Sequence, residues 1–135
     1  MFSLTATVEV DLTPRGLSCV SFWDESQEYG VSFSCYIEKP GELVEVMVSD
    51  QSNYRPKSFT VQLSRTLLRL SLPPGTVRPD EGGDEFAVHF RISDDDYQDL
   101  RNALAHLLAG RAQFQCLDDS AVARPNTSLE RTREG

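Results

Sequence analysis

The chain has 135 residues, 39% of them apolar and 25% charged, a composition that suits one domain with one core. Its net charge of −8 argues against direct nucleic-acid binding, which needs a basic footprint, and against anionic membranes, while it permits a basic protein partner. No run is apolar enough to cross a bilayer, and "MFSLTATVEVDL" lacks the basic and apolar blocks of a secretion signal, so a cytoplasmic protein is expected.

In chain order, "LTATVEVDL" alternates strictly, with Leu4, Ala6, Val8, Val10 and Leu12 on one face, and predicts a half-buried strand. "TPRG" turns the chain, and "LSCVSFWD" predicts a second strand with a less regular pattern. "VSFSCYIE" places Val31, Phe33, Cys35 and Ile37 together; after the tight turn "KPG", "ELVEVMV" places Val44, Val46 and Val48 together. The next ten residues, "SDQSNYRPKS" (49–58), are longer than a plain hairpin turn requires. "SFTVQL" and "TLLRLSL" then predict strands facing inward through Phe59, Val61 and Leu63 and through Leu68, Leu70 and Leu72. Between them, Ser64-Arg65 suits a bend, a bulge or part of a helical turn, which leaves strand or helix open around Ser64 to Leu68.

"PPGTVRPDEGGD" reads as loop, and "EFAVHFRI" as a strand with Phe86, Val88, Phe90 and Ile92 inward. The period then changes. Ser93 is a helix N-cap with Asp96 at the capping-box position, Tyr97, Leu100, Leu104, Leu107 and Leu108 form one stripe, and Gly110 suits the position just past the helix. "AQFQCL" suits an edge strand or an extended segment, and 118–135 a mobile polar tail. The expected architecture is α+β: a mostly antiparallel meander of six or seven strands over residues 1–117, with one amphipathic C-terminal helix packed on one face.

Standard catalytic signatures are absent: no glycine-rich phosphate loop, no GxSxG and no HExxH. Cys19, Cys35 and Cys116 form no CxxC pair, and Cys19 and Cys35 read as small core residues. His89 falls on an outward strand phase and His106 off the helix stripe, so neither suits a general base. "SDDD" is explained by helix capping before metal binding, and no metal or cofactor is expected. Trp23 reads as packing or as an interface anchor.

Charge placement is more informative. Seven carboxylates between Asp24 and Asp50 face only Lys39, and eight between Asp80 and Asp99 face only Arg91; acidity alone suits solubility, and its clustering suits the steering of a cationic partner. Within 49–58, Asp50, Ser52 and Asn53 suit turns, but Gln51, Tyr54 and Arg55 are not needed for one; the stretch is either a long turn or a contact site.

"VEVMVSDQSNYRPKSFTVQLSRTLLRLSLP" followed by "EFAVHFRISDDDYQDLRNALAHLL" resembles the Imm10-type immunity proteins of bacterial polymorphic toxin systems. Asp50 and Gln51 match that family's Asp-Gln pair in a polar loop, Arg65 its arginine before an apolar strand, and Phe90 with "DDDYQDL" its strand and helix start. The resemblance implies a non-enzymatic protein that binds and neutralises a cognate toxin, and the acidity fits a toxin with a basic surface, such as a nuclease. Asp50, Gln51, Asn53, Tyr54 and Arg55 are then the first contact candidates, and Asp80, Glu81, Asp84 and Glu85 the second. The alternatives are an acidic secretion chaperone or adaptor and a small enzyme.

Overall fold

The computed structural model describes residues 1–49 and 52–117, and the alternating start of the chain forms its longest strand, β1 (Phe2–Asp11). Then follow β2 (Ser18–Asp24), β3 (Tyr29–Cys35), β4 (Glu45–Ser49), β5 (Ser52–Tyr54), β6 (Thr60–Ser64), β7 (Leu67–Ser71), a single 3-10 turn (Pro79–Glu81), β8 (Glu85–Phe90), helix α1 (Asp94–Leu108) and β9 (Gln113–Cys116). The strand order is β5-β4-β3-β2-β1-β8-β7-β6-β9. The α+β class and the mainly antiparallel pairing match expectation. The count does not: among the described residues there are nine strands rather than six or seven, and they do not form one meander.

Two meanders, β1 to β5 and β6 to β8, are joined where β8 pairs parallel with β1, and β9 pairs parallel with β6. A strand returning parallel needs a crossover, which α1 supplies between β8 and β9. Periodicity reports which face a residue takes, not which distant strand lies beside it, so the parallel pairs were invisible in sequence. β5 has only 3 residues and sits among turn formers, which hid it. Ser64 and Leu67 pair across a two-residue β6–β7 connection, so this point is a hairpin bend and not a helical turn.

Strand β1 changes partner midway. Phe2–Ala6 pair with β8, and Thr7–Asp11 pair with β2. The two sections face a common core, where Phe33 of β3 stacks on Phe59 ahead of β6 with ring centroids 6.2 Å apart. The predicted inward sets of β4, β6 and β7 are all buried, as is the α1 stripe, which Ala103 joins. Burial fades along β1: Val8 and Val10 are partly buried and Leu12 is exposed. Ser93 caps α1 by accepting from the Asp96 amide at 3.1 Å, and Gly110 takes the left-handed φ of +72° beyond it.

The expectation for Cys19 is corrected. In β2 the inward set is Ser18, Val20, Phe22 and Asp24, so Cys35 is buried in the core but Cys19 lies on the other phase, half-buried. Two polar residues hold the inward phase because each is satisfied. Ser18 Oγ accepts from the Thr13 amide at 2.9 Å and donates to the Thr13 carbonyl. The buried Asp24 carboxylate accepts from the Thr5 amide at 2.9 Å, the Gln27 amide and side chain at 3.2 and 2.8 Å, and Ser26 Oγ at 2.7 Å. The helix end is clasped in a related way. The Arg111 guanidinium donates to the carbonyls of Glu42 at 2.9 Å, Lys39 at 3.0 Å and Ile37 at 3.3 Å, tying the β3–β4 connection to the residues after α1.

The Thr5 amide, then the Gln27 and Ser26 side chains, hold the Asp24 carboxyl well below the usual carboxylate range. Its folded pKa thus lies below its unfolded one. The stability it contributes is complete above about pH 4 and is lost as pH falls from there toward the folded pKa. Urea melts of Asp24→Asn should show lower stability than the parent at pH 7 and a shallower decline between about pH 4 and 2. Arg111→Ala should cost about 1–3 kcal/mol, because four backbone carbonyls, those of Ile37, Lys39, Glu42 and Ala109, lose a charged donor.

Candidate functional site

The two predicted contact stretches lie far apart in sequence, and the fold brings them together. β5 pairs antiparallel with β4, placing Tyr54 opposite Val46, Asn53 opposite Met47 and Ser52 opposite Val48. Ser52–Tyr54 of the 49–58 stretch therefore form an edge strand beside β4. Ser49, the last residue of β4, has a φ of +64°, while Asp50 and Gln51 lie outside the described residues, as does the predicted tail. Asn53 and Arg55 are exposed and Tyr54 is half-buried. The Arg55 guanidinium meets the Glu45 carboxylate at 3.1 Å.

Tyr54 makes the link. Its hydroxyl donates to Glu81 Oε1 at 3.3 Å, while the Glu81 carbonyl accepts from the Tyr29 hydroxyl. Glu81 thus holds one tyrosine through its side chain and another through its backbone. Tyr29 stands on an aromatic cluster, 4.4 Å from Phe2 and 6.2 Å from Phe86 between ring centroids. Burial first, then the Glu81 charge, pushes the Tyr29 phenol up to about 12 and raises that of Tyr54 as well.

Gly82 lets the acidic turn sit this close. Its φ is +119°, and a Cβ there would lie 2.6 Å from the Tyr29 hydroxyl and 3.2 Å from a Phe86 ring carbon. Gly82 closes the 3-10 turn by donating to the Pro79 carbonyl, and Gly83 donates to that of Arg78. Asp84 is engaged inside the loop: its carboxylate accepts from the Val77 amide at 2.7 Å and the Gly75 amide at 2.8 Å, which hold its pKa low. Asp80 forms a two-point pair with Arg78, at 2.8 and 3.1 Å. Glu85 is exposed at the start of β8.

The two stretches meet at Tyr54 and Glu81, with Asn53 and Arg55 exposed beside Tyr54, Glu85 exposed at the start of β8, Asp80 partly neutralised and Asp84 committed to loop structure. Sequence reasoning missed Tyr29, Gly82 and Arg78. Tyr29 shares the phase of Val31 and Phe33, and a paired Gly82-Gly83 beside acids was the one local hint of a fixed backbone.

Arg65, singled out by the resemblance, lies elsewhere. It donates to the Ile92 carbonyl at 2.9 Å and to Asp94 at 2.8 Å, and its guanidinium lies 4.9 Å from the Tyr97 ring centroid. This braces the connection from β8 into α1. Cys35 faces the core, with Sγ 3.7 Å from the Leu107 carbonyl, whereas His89 is exposed. Burial raises the Cys35 thiol, and burial with Asp11 and Glu9 raises that of Cys19, which keeps both as thiols rather than nucleophilic thiolates. Among the described residues, no group of three His, Cys, Asp or Glu side chains is placed to hold a metal, and no helix is long and apolar enough to cross a membrane.

Gly82→Ala should destabilise the protein by about 1–3 kcal/mol through backbone strain, as read from urea melts. Tyr54→Phe should cost less than about 1 kcal/mol, because only one hydroxyl contact is removed and its partner stays near water.

No family model, no curated protein and no solved structure matches this chain.

Proposed function

We propose that this chain is a non-enzymatic immunity protein that binds a toxin with a basic surface and neutralises it by covering its active or binding surface. The observation that supports this reading is the Tyr54–Glu81 contact, which joins the two candidate stretches into one face on the core. Such a face combines an aromatic anchor, a solvent-facing arginine and carboxylates, the residue types that dominate protein–protein contacts and charge steering. Its backbone is already fixed by the β4–β5 pairing and by Gly82, so little ordering opposes association. The net charge of −8 favours approach by a cationic protein.

The test is growth rescue. The reading frame beside this one in its source genome is induced with and without this chain. The expected outcome is toxicity alone and restored growth together. Combining Tyr54→Ala with Glu85→Lys should weaken the purified complex by about tenfold or more at low salt while leaving thermal melting within a few degrees. Persistent toxicity overturns the immunity reading, and an affinity independent of salt overturns the basic-surface element.

A further inference from the structure

β1 has two half-edges, and only one is closed. Opposite β8, the flank of its first half is occupied by side chains: Asp24 accepts from the Thr5 amide at 2.9 Å, and Gln27 donates to the Ser3 carbonyl at 2.9 Å. These groups stand where a neighbouring strand would be. Along the second half, Thr7–Asp11 pair with β2 on one flank. On the other flank β8 ends at Phe90, the chain departs into α1, and no strand among the described residues pairs with this stretch. Alternate residues of an antiparallel pair turn both amide groups away from their partner, so part of the Thr7–Asp11 backbone faces this opening.

The opening is a groove. Two hollows of about 580 and 260 Å³ adjoin there, sharing Val8 and Ile92 in their lining. Val8, Val10 and Ile92 are partly buried hydrophobics that supply an apolar floor. Glu9, Asp96 and Asp99 line the second hollow, with no basic residue among its lining, and Arg91 borders the first. Arg65 fixes the far wall by its bonds to Ile92 and Asp94, so the groove is a built feature of the β8–α1 connection.

We propose that this groove is a docking site for an extended basic segment of a partner protein, which adds a strand beside Thr7–Asp11. The open backbone supplies main-chain hydrogen bonds, the floor accepts alternate apolar side chains, Glu9 on the opposite face of β1 receives the intervening Lys or Arg, and Asp96 and Asp99 border the floor and add to the local negative charge. The charge of the lining selects a cationic occupant over an acidic one. The site uses none of the residues of the Tyr54–Glu81 face and stands whether or not that face binds a toxin.

The test uses the full chain, isotope-labelled, and synthetic peptides of about ten residues alternating Lys with Val or Thr. The expected result is binding with amide shifts concentrated at Thr7–Asp11. A peptide with Glu for Lys should not bind. N-methylation at alternate amides, which keeps every charge and side chain, should weaken binding by about tenfold or more in the register that removes the inward donors. Combining Glu9→Lys with Asp99→Lys, both exposed, should weaken it by a similar factor with melting within a few degrees of the parent. The proposal is overturned by no detectable binding, by N-methylated peptides binding equally well in both registers, or by shifts centred on Ser52–Tyr54 instead.

Discussion

The backbone of β1 meets two demands at once, parallel to β8 over Phe2–Ala6 and antiparallel to β2 over Thr7–Asp11. Each meander has one face to bury and neither can bury it alone. Sharing a strand sets the two faces against a common interior, and α1 fills what remains. The Asp24 carboxylate belongs to the same arrangement. Where β2 ends and β1 runs on, it supplies the acceptor that the exposed Thr5 amide requires, and it also organises the following turn through Ser26 and Gln27. A buried charge is tolerated here because every bond it receives favours the ionised form.

The acidity of the chain then divides into two kinds. Asp24 and Asp84 are internal acceptors for backbone amides, and Glu45, Asp80 and Asp94 each meet an arginine. Exposed ion pairs of this sort contribute little to stability but reduce the charge seen by a partner. What remains outward falls in two regions: Glu9, Asp11, Glu25, Glu28 and Glu38 along β1 to β4 and their connections, and Glu85, Asp95, Asp96 and Asp99 at the start of β8 and along α1. A count of carboxylates along the sequence therefore overstates the field near 80–85.

Much of the fold was legible because most strands bury one face. Val44, Val46 and Val48, or Leu68, Leu70 and Leu72, alternate without exception, and Ser93 and Gly110 mark α1 at both ends. β2 was harder, since its inward phase carries Ser18 and Asp24 while a cysteine lies opposite; hydrophobicity alone puts Cys19 on the wrong side. The joining of the candidate site could not be read. Tyr29 and Glu81 are separated by 52 positions, and nothing local to either announces the other. The same holds for Arg111, whose partners are backbone carbonyls around residue 40 and carry no side-chain signature.

The half-open edge of β1 has a bearing on how copies of this protein behave toward one another. An unpaired strand edge is a template for any chain, including an identical one. Here two such edges brought together would set Glu9, Asp96 and Asp99 of one copy against the same carboxylates of the other. Like charges at that distance repel, and the repulsion is strongest in dilute salt. The acids beside the groove thus oppose self-pairing along this edge, and concentrated salt is a condition that would screen that opposition.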